Sequence, residues 1–289
     1  MTKKIIVDNS DAGKRVDVVA GELLPSLSRS YIHRLLEDGH ITLNGVTAKA
    51  GGKVRQGDKL QTDFNENQLE QIEPIELPIL YEDDDVLVIN KPAGVISHSR
   101  GKYWNEPSVA SFVRQKTSQL GDRAGIVHRL DRATSGVMIC AKNAAALVWL
   151  QKQFSQRKVV KTYIAVIHGK LKEAEAVIDV PIERNPKAPA TFRAGSNGKP
   201  AQTRYRVLKI IGDNSIIELQ PLTGRTHQLR VHLLYLGHPI IGDTLYGGLA
   251  APRLLLHAAS LTIMLPNKEK RTFTAPLPPE FNKISSSDG

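Results

Sequence analysis

The sequence predicts an α+β protein in two parts: a small N-terminal α+β domain over residues 13–75, and a domain over residues 80–280 built on a mixed, largely antiparallel sheet. Three observations predict it. Beyond residue 80, candidate strands outnumber candidate helices, and short turns such as Gly212-Asp213-Asn214 join neighbouring strands where a βαβ protein would place helices. Within the first 60 residues, helical periodicity gives way to a hairpin signal. Between the two parts, residues 61–80 are rich in Gln, Glu, Asn and Pro without apolar periodicity, the pattern of a linker. A chain of 289 residues with 41% apolar content has enough material for two cores.

In the first domain, Val16, Val19, Ala20, Leu23 and Leu24 share one helical face, and Pro25 closes the element. Ser28 or Ser30 is expected to cap a second helix carrying Ile32, Leu35 and Leu36, which Gly39 ends. Ile41-Thr42-Leu43 and Val46-Thr47-Ala48 then flank Asn44-Gly45, the strongest short-range signal for a two-residue hairpin turn. Arg29, Tyr31, His33, Arg34 and Lys49 give this small unit a set of hydrogen-bond donors. In the second domain, strands are predicted at Val86 to Ile89, Gly136 to Ala141, Lys161 to Ile167, Gln202 to Ile211 and Ser215 to Leu219. Helices are predicted near Pro107 to Lys116, Ala144 to Gln153 and His227 to Leu236, and a disordered tail at 284–289. There is no internal repeat.

The formal charge of +10 is unevenly spread. Residues 1–60 carry ten bases and seven acids, residues 61–85 nine acids and no base, and the remainder 29 bases against 13 acids. So large an excess on one domain is the footprint expected of a partner with a phosphate backbone, and the acidic linker would stay off it. Cys140 is the single cysteine, which rules out an internal disulfide; its apolar surroundings favour a small core residue. No apolar run approaches the roughly 18 residues of a membrane span, and Met1 to Asp8 lack the apolar stretch of a signal peptide. A cytoplasmic monomer with no membrane partner is the expectation.

The most informative stretch is His128-Arg129-Leu130-Asp131-Arg132-Ala133-Thr134-Ser135-Gly136, which sets one carboxylate between two arginines in a turn leading into a buried strand. Asp131 is expected to be ionised and held there, ready to act as a nucleophile. An ion pair that merely pins a turn would explain this stretch if it stood alone. About ninety residues later comes Leu222-Thr223-Gly224-Arg225-Thr226-His227-Gln228-Leu229-Arg230-Val231-His232-Leu233. Here Arg225 precedes a helix with Leu229, Leu233 and Leu236 on its buried stripe, and its fork could meet a carboxylate bidentately. Arg225 is therefore expected to pair with Asp131 and fix its orientation. In Val160-Lys161-Thr162-Tyr163-Ile164, strand alternation puts Lys161 and Tyr163 on one face, where the ring could stack on a base. His128 reads as a hydrogen-bonded loop residue. The spacing of His227 and His232 turns them apart on a helix, and no carboxylate accompanies them, so no metal site is expected.

Together the two segments resemble the RluA-type RNA pseudouridine synthases, whose loop has the form His-Arg-Leu-Asp-x-x-Thr-Ser-Gly and whose later motif is Gly-Arg-Thr-His-Gln-x-Arg-x-His. Every named position matches, and Val88-Ile89-Asn90-Lys91-Pro92-Ala93-Gly94, Lys161-Thr162-Tyr163 and Leu256-His257-Ala258 keep the order expected of the family. The first domain is similar to the S-four-type RNA-binding domain, with Ser28-Arg29-Ser30 and Gly39 to Gly45 carrying the likeness. These resemblances imply a sheet of pseudouridine synthase type and an enzyme that converts uridine in RNA to its carbon-linked isomer. Large-subunit ribosomal RNA is the first choice of substrate and transfer RNA the second. They assign Asp131, Tyr163 and Arg225 to catalysis, Arg129 to the gap left when the target nucleotide leaves the stack, and Arg132, Arg29, Arg34 and Lys49 to RNA binding. The reaction oxidises and consumes nothing, and the chain has no Walker loop or dinucleotide fingerprint, so no cofactor is expected. Two other classes remain: a noncatalytic RNA-binding assembly factor, and a glycoside hydrolase or nucleosidase, which should show a second acid for the leaving group.

Overall fold

The alternation of apolar and polar side chains, broken by glycine turns, yields two compact units in the computed structural model, which describes residues 3–24, 29–64, 73–98, 106–117 and 124–283. Pro25 and Ser28, residues 65–72 of the proposed linker, and the tail at 284–289 lie outside the described residues. One unit comprises Met1–Ile75 with His98–Ser111 and Leu120–Arg123, the other Glu76–Ser97, Phe112–Gln119 and Ala124–Gly289.

The first unit contains β1 (Lys3–Ile6), α1 (Val16–Leu23), α2 (Arg29–Glu37), β2 (Ile41–Leu43), β3 (Val46–Thr47) and β4 (Lys59–Thr62). Ser30 lies inside α2 and not at its cap. The strands form a sheet in the order β1-β4-β2-β3. Val16, Val19, Ala20, Leu24, Ile32, Leu35 and Leu36 pack with Ile41, Val54 and Leu60 into one core. The hairpin forms as its sequence demands, with Asn44 at φ 52° and Gly45 at φ 81°, the left-handed pair that a tight two-residue turn requires. Asn44 also ties the hairpin to β4, donating to Asp58 Oδ1 at 2.8 Å and accepting from the Lys59 N–H at 2.8 Å. His33 is a structural partner: its Nε2 lies 2.7 Å from the buried Asp17, which also takes the Arg15 Nε–H at 2.9 Å, so the pair links α1 to α2. Arg34 on α2 and Lys49 after β3 are exposed, while Arg29 opens α2 and its side chain is outside the described set.

The second sheet is built from β5 (Ile79–Glu82), β6 (Val86–Lys91), β7 (Ser135–Ala141), β8 (Val160–His168), β9 (Glu175–Asp179), β12 (Gln202–Ile211), β13 (Asn214–Pro221), β14 (Leu256–Met264) and β15 (Lys270–Thr274). The order is β5-β6-β7-β14-β8-β13-β12-β9, with β15 also on β14. A separate ribbon pairs β10 (Ile182–Arg184) with β11 (Phe192–Ala194). The helices are α3 (Val109–Lys116), α4 (Ala144–Ser155), α5 (Gln228–Tyr235) and α6 (Pro279–Lys283). Strands β5, β9, β14 and β15, and the ribbon, were not expected. Short edge strands such as β9 bury a single residue and so carry little periodic signal.

The sheet is antiparallel apart from β7 and β14, which run parallel with His257 opposite Ser135 and Ala258 opposite Gly136. Gly136 has φ 117°, and a Cβ there would stand 2.2 Å from the Ala258 carbonyl oxygen, so only glycine fits this approach. Beside it, Arg253 Nη2 donates to Ser135 Oγ at 2.6 Å, leaving the hydroxyl proton for His257 Nδ1 at 2.7 Å. Burial takes His257 down to about 4, keeping the imidazole neutral. On its other side β14 pairs with β8, setting Ala258 against Tyr163. The chain that follows Asp131 and the strand that carries Tyr163 thus flank the same short piece of β14.

Candidate active site

The Asp131 loop is held by its main chain. Ser97 Oγ donates to the Leu130 carbonyl at 2.7 Å and accepts the Leu130 N–H at 3.0 Å. The Gly94 N–H donates to the Arg132 carbonyl at 2.8 Å, and the Thr134 N–H closes a turn onto the Asp131 carbonyl at 3.0 Å. Lys91 is fully buried and its ammonium donates to the carbonyls of Pro92 (2.9 Å), Val95 (2.8 Å) and Arg132 (3.3 Å). Burial, partly offset by the charge of Asp131, takes Lys91 down to about 7. His128 is the hydrogen-bonded loop residue expected: the Ile139 N–H donates to its Nε2 at 3.1 Å, and its ring stacks on Phe154 at 4.7 Å. Burial takes it to about 3, so the neutral ring keeps its proton on Nδ1. With the backbone fixed from three sides, the Asp131 side chain is left to face the cavity, one-fifth exposed.

The second segment is held by its side chains. Gln228 is the knot: its Oε1 accepts from Thr223 Oγ1 at 2.7 Å and from the Arg225 N–H at 3.0 Å, and its Nε2 donates to the Gln202 carbonyl at 2.9 Å and Thr203 Oγ1 at 3.0 Å. Thr203 passes its own proton to His232 Nδ1 at 2.9 Å, and His232 Nε2–H donates to the Val180 carbonyl at 3.0 Å. Burial depresses His232, so it is a neutral strut. Arg230, one turn into α5, is buried and grips Asp243 through Nε (2.7 Å) and Nη2 (2.6 Å).

Arg230 is also the arginine that faces Asp131, with Nη1 3.9 Å from Oδ2. The expected pairing of Arg225 with Asp131 is corrected on this point. Arg225 Nε–H donates to the Pro200 carbonyl at 3.0 Å, and no ion pair joins it to Asp131 among the described residues. The physical reason is its position. Arg225 precedes α5 and lies along the strand connection, whereas Arg230 lies on the helix face turned inward, where a buried guanidinium must find carboxylates. His227 also approaches the same Asp131 oxygen, its Nε2 4.0 Å away. Neither Arg230 nor His227 was assigned a role from sequence, although a charged residue between Leu229 and Val231 in an apolar helix was the available signal for the first.

Asp131, Tyr163, Arg129 and Arg225 line one cavity of about 840 Å³, together with Lys161, Arg204, His227 and Arg230. Burial and the Asp131 charge raise the Tyr163 phenol, which therefore stays protonated. Arg129 is exposed at this cavity. Arg132 is exposed outside its lining, its Nη1 3.4 Å from the Gly94 carbonyl. The floor thus offers one carboxylate, an aromatic ring and a cationic wall: a place for a planar base and its phosphates. Among the described residues no group of three or more His, Cys, Asp or Glu could hold a metal ion, and no helix is long and apolar enough to cross a membrane.

Comparison with known proteins bears on what this cavity serves. Residues 85–235 match the family model described as RNA pseudouridylate synthase, and residues 14–60 match the S4 domain. A ribosomal large subunit pseudouridine synthase D of Nitrosomonas europaea is 36% identical over 97% of this chain and 86% of its own length. A ribosomal large subunit pseudouridine synthase C of Vibrio cholerae is 33% identical over 92% of this chain and 90% of its own. Among solved structures, human RNA pseudouridylate synthase domain containing 1 superimposes with a TM-score of 0.60 at 32% identity, over 73% of this chain and 90% of that one. The loop bearing Asp131 and the segment bearing Arg230 both fall within the matched span, and this chain belongs to the RNA pseudouridylate synthase family, with an S4 domain ahead of the catalytic part.

Proposed function

We propose that the chain isomerises uridines of large-subunit ribosomal RNA, with Asp131 as the nucleophile, Tyr163 as the ring on which the flipped uracil rests, and Arg225 as a cavity-wall donor to the RNA. The observation that carries the reading is the convergence of Asp131 and Tyr163 on one cavity with cationic walls. In the reaction the N1–C1′ bond of uridine breaks, the base turns while held, C5 joins C1′, the C5 proton leaves and N1 takes up a proton. Atoms and electrons balance without an oxidant. Asp131 meets the sugar or the base as this begins, and Arg230, 3.9 Å away, keeps it oriented. Arg129 fills the place of the extruded nucleotide, where a planar guanidinium offsets part of the unstacking cost.

The choice of RNA is supported by the names of the two bacterial relatives and by the S4 domain. Residues 13–75, with Arg29, Arg34 and Lys49, would hold structured RNA while residues 80–280, with Arg132 near the loop, do the chemistry. Work in the cytoplasm as a monomer belongs to the same reading; light scattering should then give the 31.8 kDa of one chain. The direct test is a large-subunit transcript tritiated at uracil C5. Tritium release without free uracil supports the reading, while free uracil marks a hydrolase and neither product a binding protein. Mapping modified uridines in cells lacking the gene tests the substrate: an unchanged large-subunit pattern overturns that choice.

A further inference from the structure

His227 has a backbone and a set of contacts that the reaction outlined above leaves unused. It sits just before α5 at φ 55° and ψ 19°, a left-handed conformation that a side chain with a Cβ adopts only when its surroundings hold it. Those surroundings are aromatic. The His227 ring meets Phe192 of β11 edge-on at 5.7 Å and Tyr246 edge-on at 5.6 Å. Tyr246 is 6% exposed, and its ring lies under the Arg230 guanidinium at 4.8 Å.

The hydrogen bonds fix the proton. The Phe192 N–H donates to Tyr246 Oη at 3.0 Å, and Tyr246 Oη lies 2.8 Å from His227 Nδ1. A phenol has one proton, and the Phe192 amide can only donate to it, so the acceptor available to the Tyr246 O–H among its described partners is Nδ1. A buried hydroxyl proton left without an acceptor is costly. Nδ1 therefore accepts, and the proton of the neutral ring lies on Nε2, the nitrogen 4.0 Å from Asp131 Oδ2. We propose that His227 is a positioning residue for Asp131: Tyr246 and the β10–β11 ribbon lock it in the Nε2–H tautomer, which presents a neutral donor to the carboxylate oxygen that Arg230 also faces. The proposal rests on Asp131 being the reacting carboxylate.

The groups facing His227 are Asp131, Arg230, Asp243, Arg129 and Tyr246. Burial is the largest influence and lowers its pKa; the two carboxylates oppose this and the two arginines reinforce it, which leaves the ring neutral at pH 7.5. A neutral donor orients the carboxylate without adding a second positive charge that would blunt its attack. Separations near 4 Å in the free enzyme are of the kind that close on substrate binding.

The test begins on the free full-length protein with ¹⁵N-labelled histidine. Nitrogen–proton correlation at pH 7.5, with the signal assigned by its loss in His227→Gln, should show a neutral Nε2–H ring. A protonated ring or the Nδ1–H tautomer overturns the proposal. In turnover, His227→Leu should lower kcat about 10-fold with the KM for RNA within twofold, and His227→Gln, which keeps a neutral donor, should recover most of it. Tyr246→Phe should mix the tautomers and lower kcat similarly. Equal kcat values for wild type, His227→Leu and Tyr246→Phe overturn the role. The spectrum needs no substrate, so wild-type protein inactive on every transcript would defeat the isomerase reading, and the positioning role with it, while the tautomer result stood.

Discussion

The two halves of the cavity are stabilised in opposite ways. On the Asp131 side, Ser97, Gly94 and Lys91 bind main-chain groups of residues 130–132 and ask nothing of the carboxylate itself. On the α5 side, Gln228, Arg230 and His232 spend their polar atoms on Thr203, Thr223, Asp243 and Val180. The lesson is a division of labour. A side chain held through its backbone can be replaced without disturbing the fold, whereas one that is itself the brace cannot.

The largest test of that contrast is Asp131→Asn, which should reduce kcat at least about 10³-fold while the melting temperature stays within about 2 °C of wild type. A large loss of stability would erase the distinction. Arg230→Met should do the reverse first, lowering unfolding free energy by about 3–5 kcal/mol because Asp243 is left buried and unpaired. Replacing Asp243 by Leu in the same protein should restore part of that in a urea titration, though not the activity. Gln228→Leu strands the groups it now serves and should cost about 2–4 kcal/mol, again read by urea.

Acid should find the two histidines held neutral by their surroundings. His128 and His257 stand at about 3 and about 4 in the fold against an unfolded value near 6.5. Below pH 6.5 the unfolded chain therefore binds more protons than the native one. The stability they contribute is present above that pH and is lost as pH falls toward 4, by at most about 1.4 kcal/mol per pH unit for each ring. Thermal melts of wild type and His128→Gln from pH 7 to 4.5 should diverge in slope, and parallel curves would count against a neutral His128. The smallest effect is expected from Arg225→Ala: with no bond to Asp131, its loss should raise the KM for RNA about 10-fold, with kcat within about threefold.

How much could be seen in the sequence follows from how local each signal was. Asp131 and Tyr163 were legible because a loop between two arginines and a strand alternation are short-range patterns. The Asn44-Gly45 turn was legible for the same reason. Arg230 was not, since its partner Asp243 is separated from it by the end of a helix and a turn, and only the fold shows that the guanidinium is buried. Strand β14 was missed because Leu256-His257-Ala258-Ala259-Ser260-Leu261 has no clean period: its pairing with β8 shifts register between Ala258 and Ser260, which breaks the alternation. His227 could not be assigned at all from spacing: its role depends on a ribbon and a tyrosine that reach it from elsewhere in the chain.

The parallel seam between β7 and β14 has a consequence for how the protein is born. Ser135 and His257 meet across 122 residues of sequence, and the glycine beside Ser135 has no room for a Cβ against Ala258. A nascent chain emerging from its ribosome therefore carries Asp131 and Tyr163 long before they share a pocket. The strand that lies between theirs, Leu256–Met264, is made last of the three, so the sheet that unites them cannot close before it. Such long-range closure is intrinsically slow, and fragments ending before that segment should be inert however well their first motif is preserved.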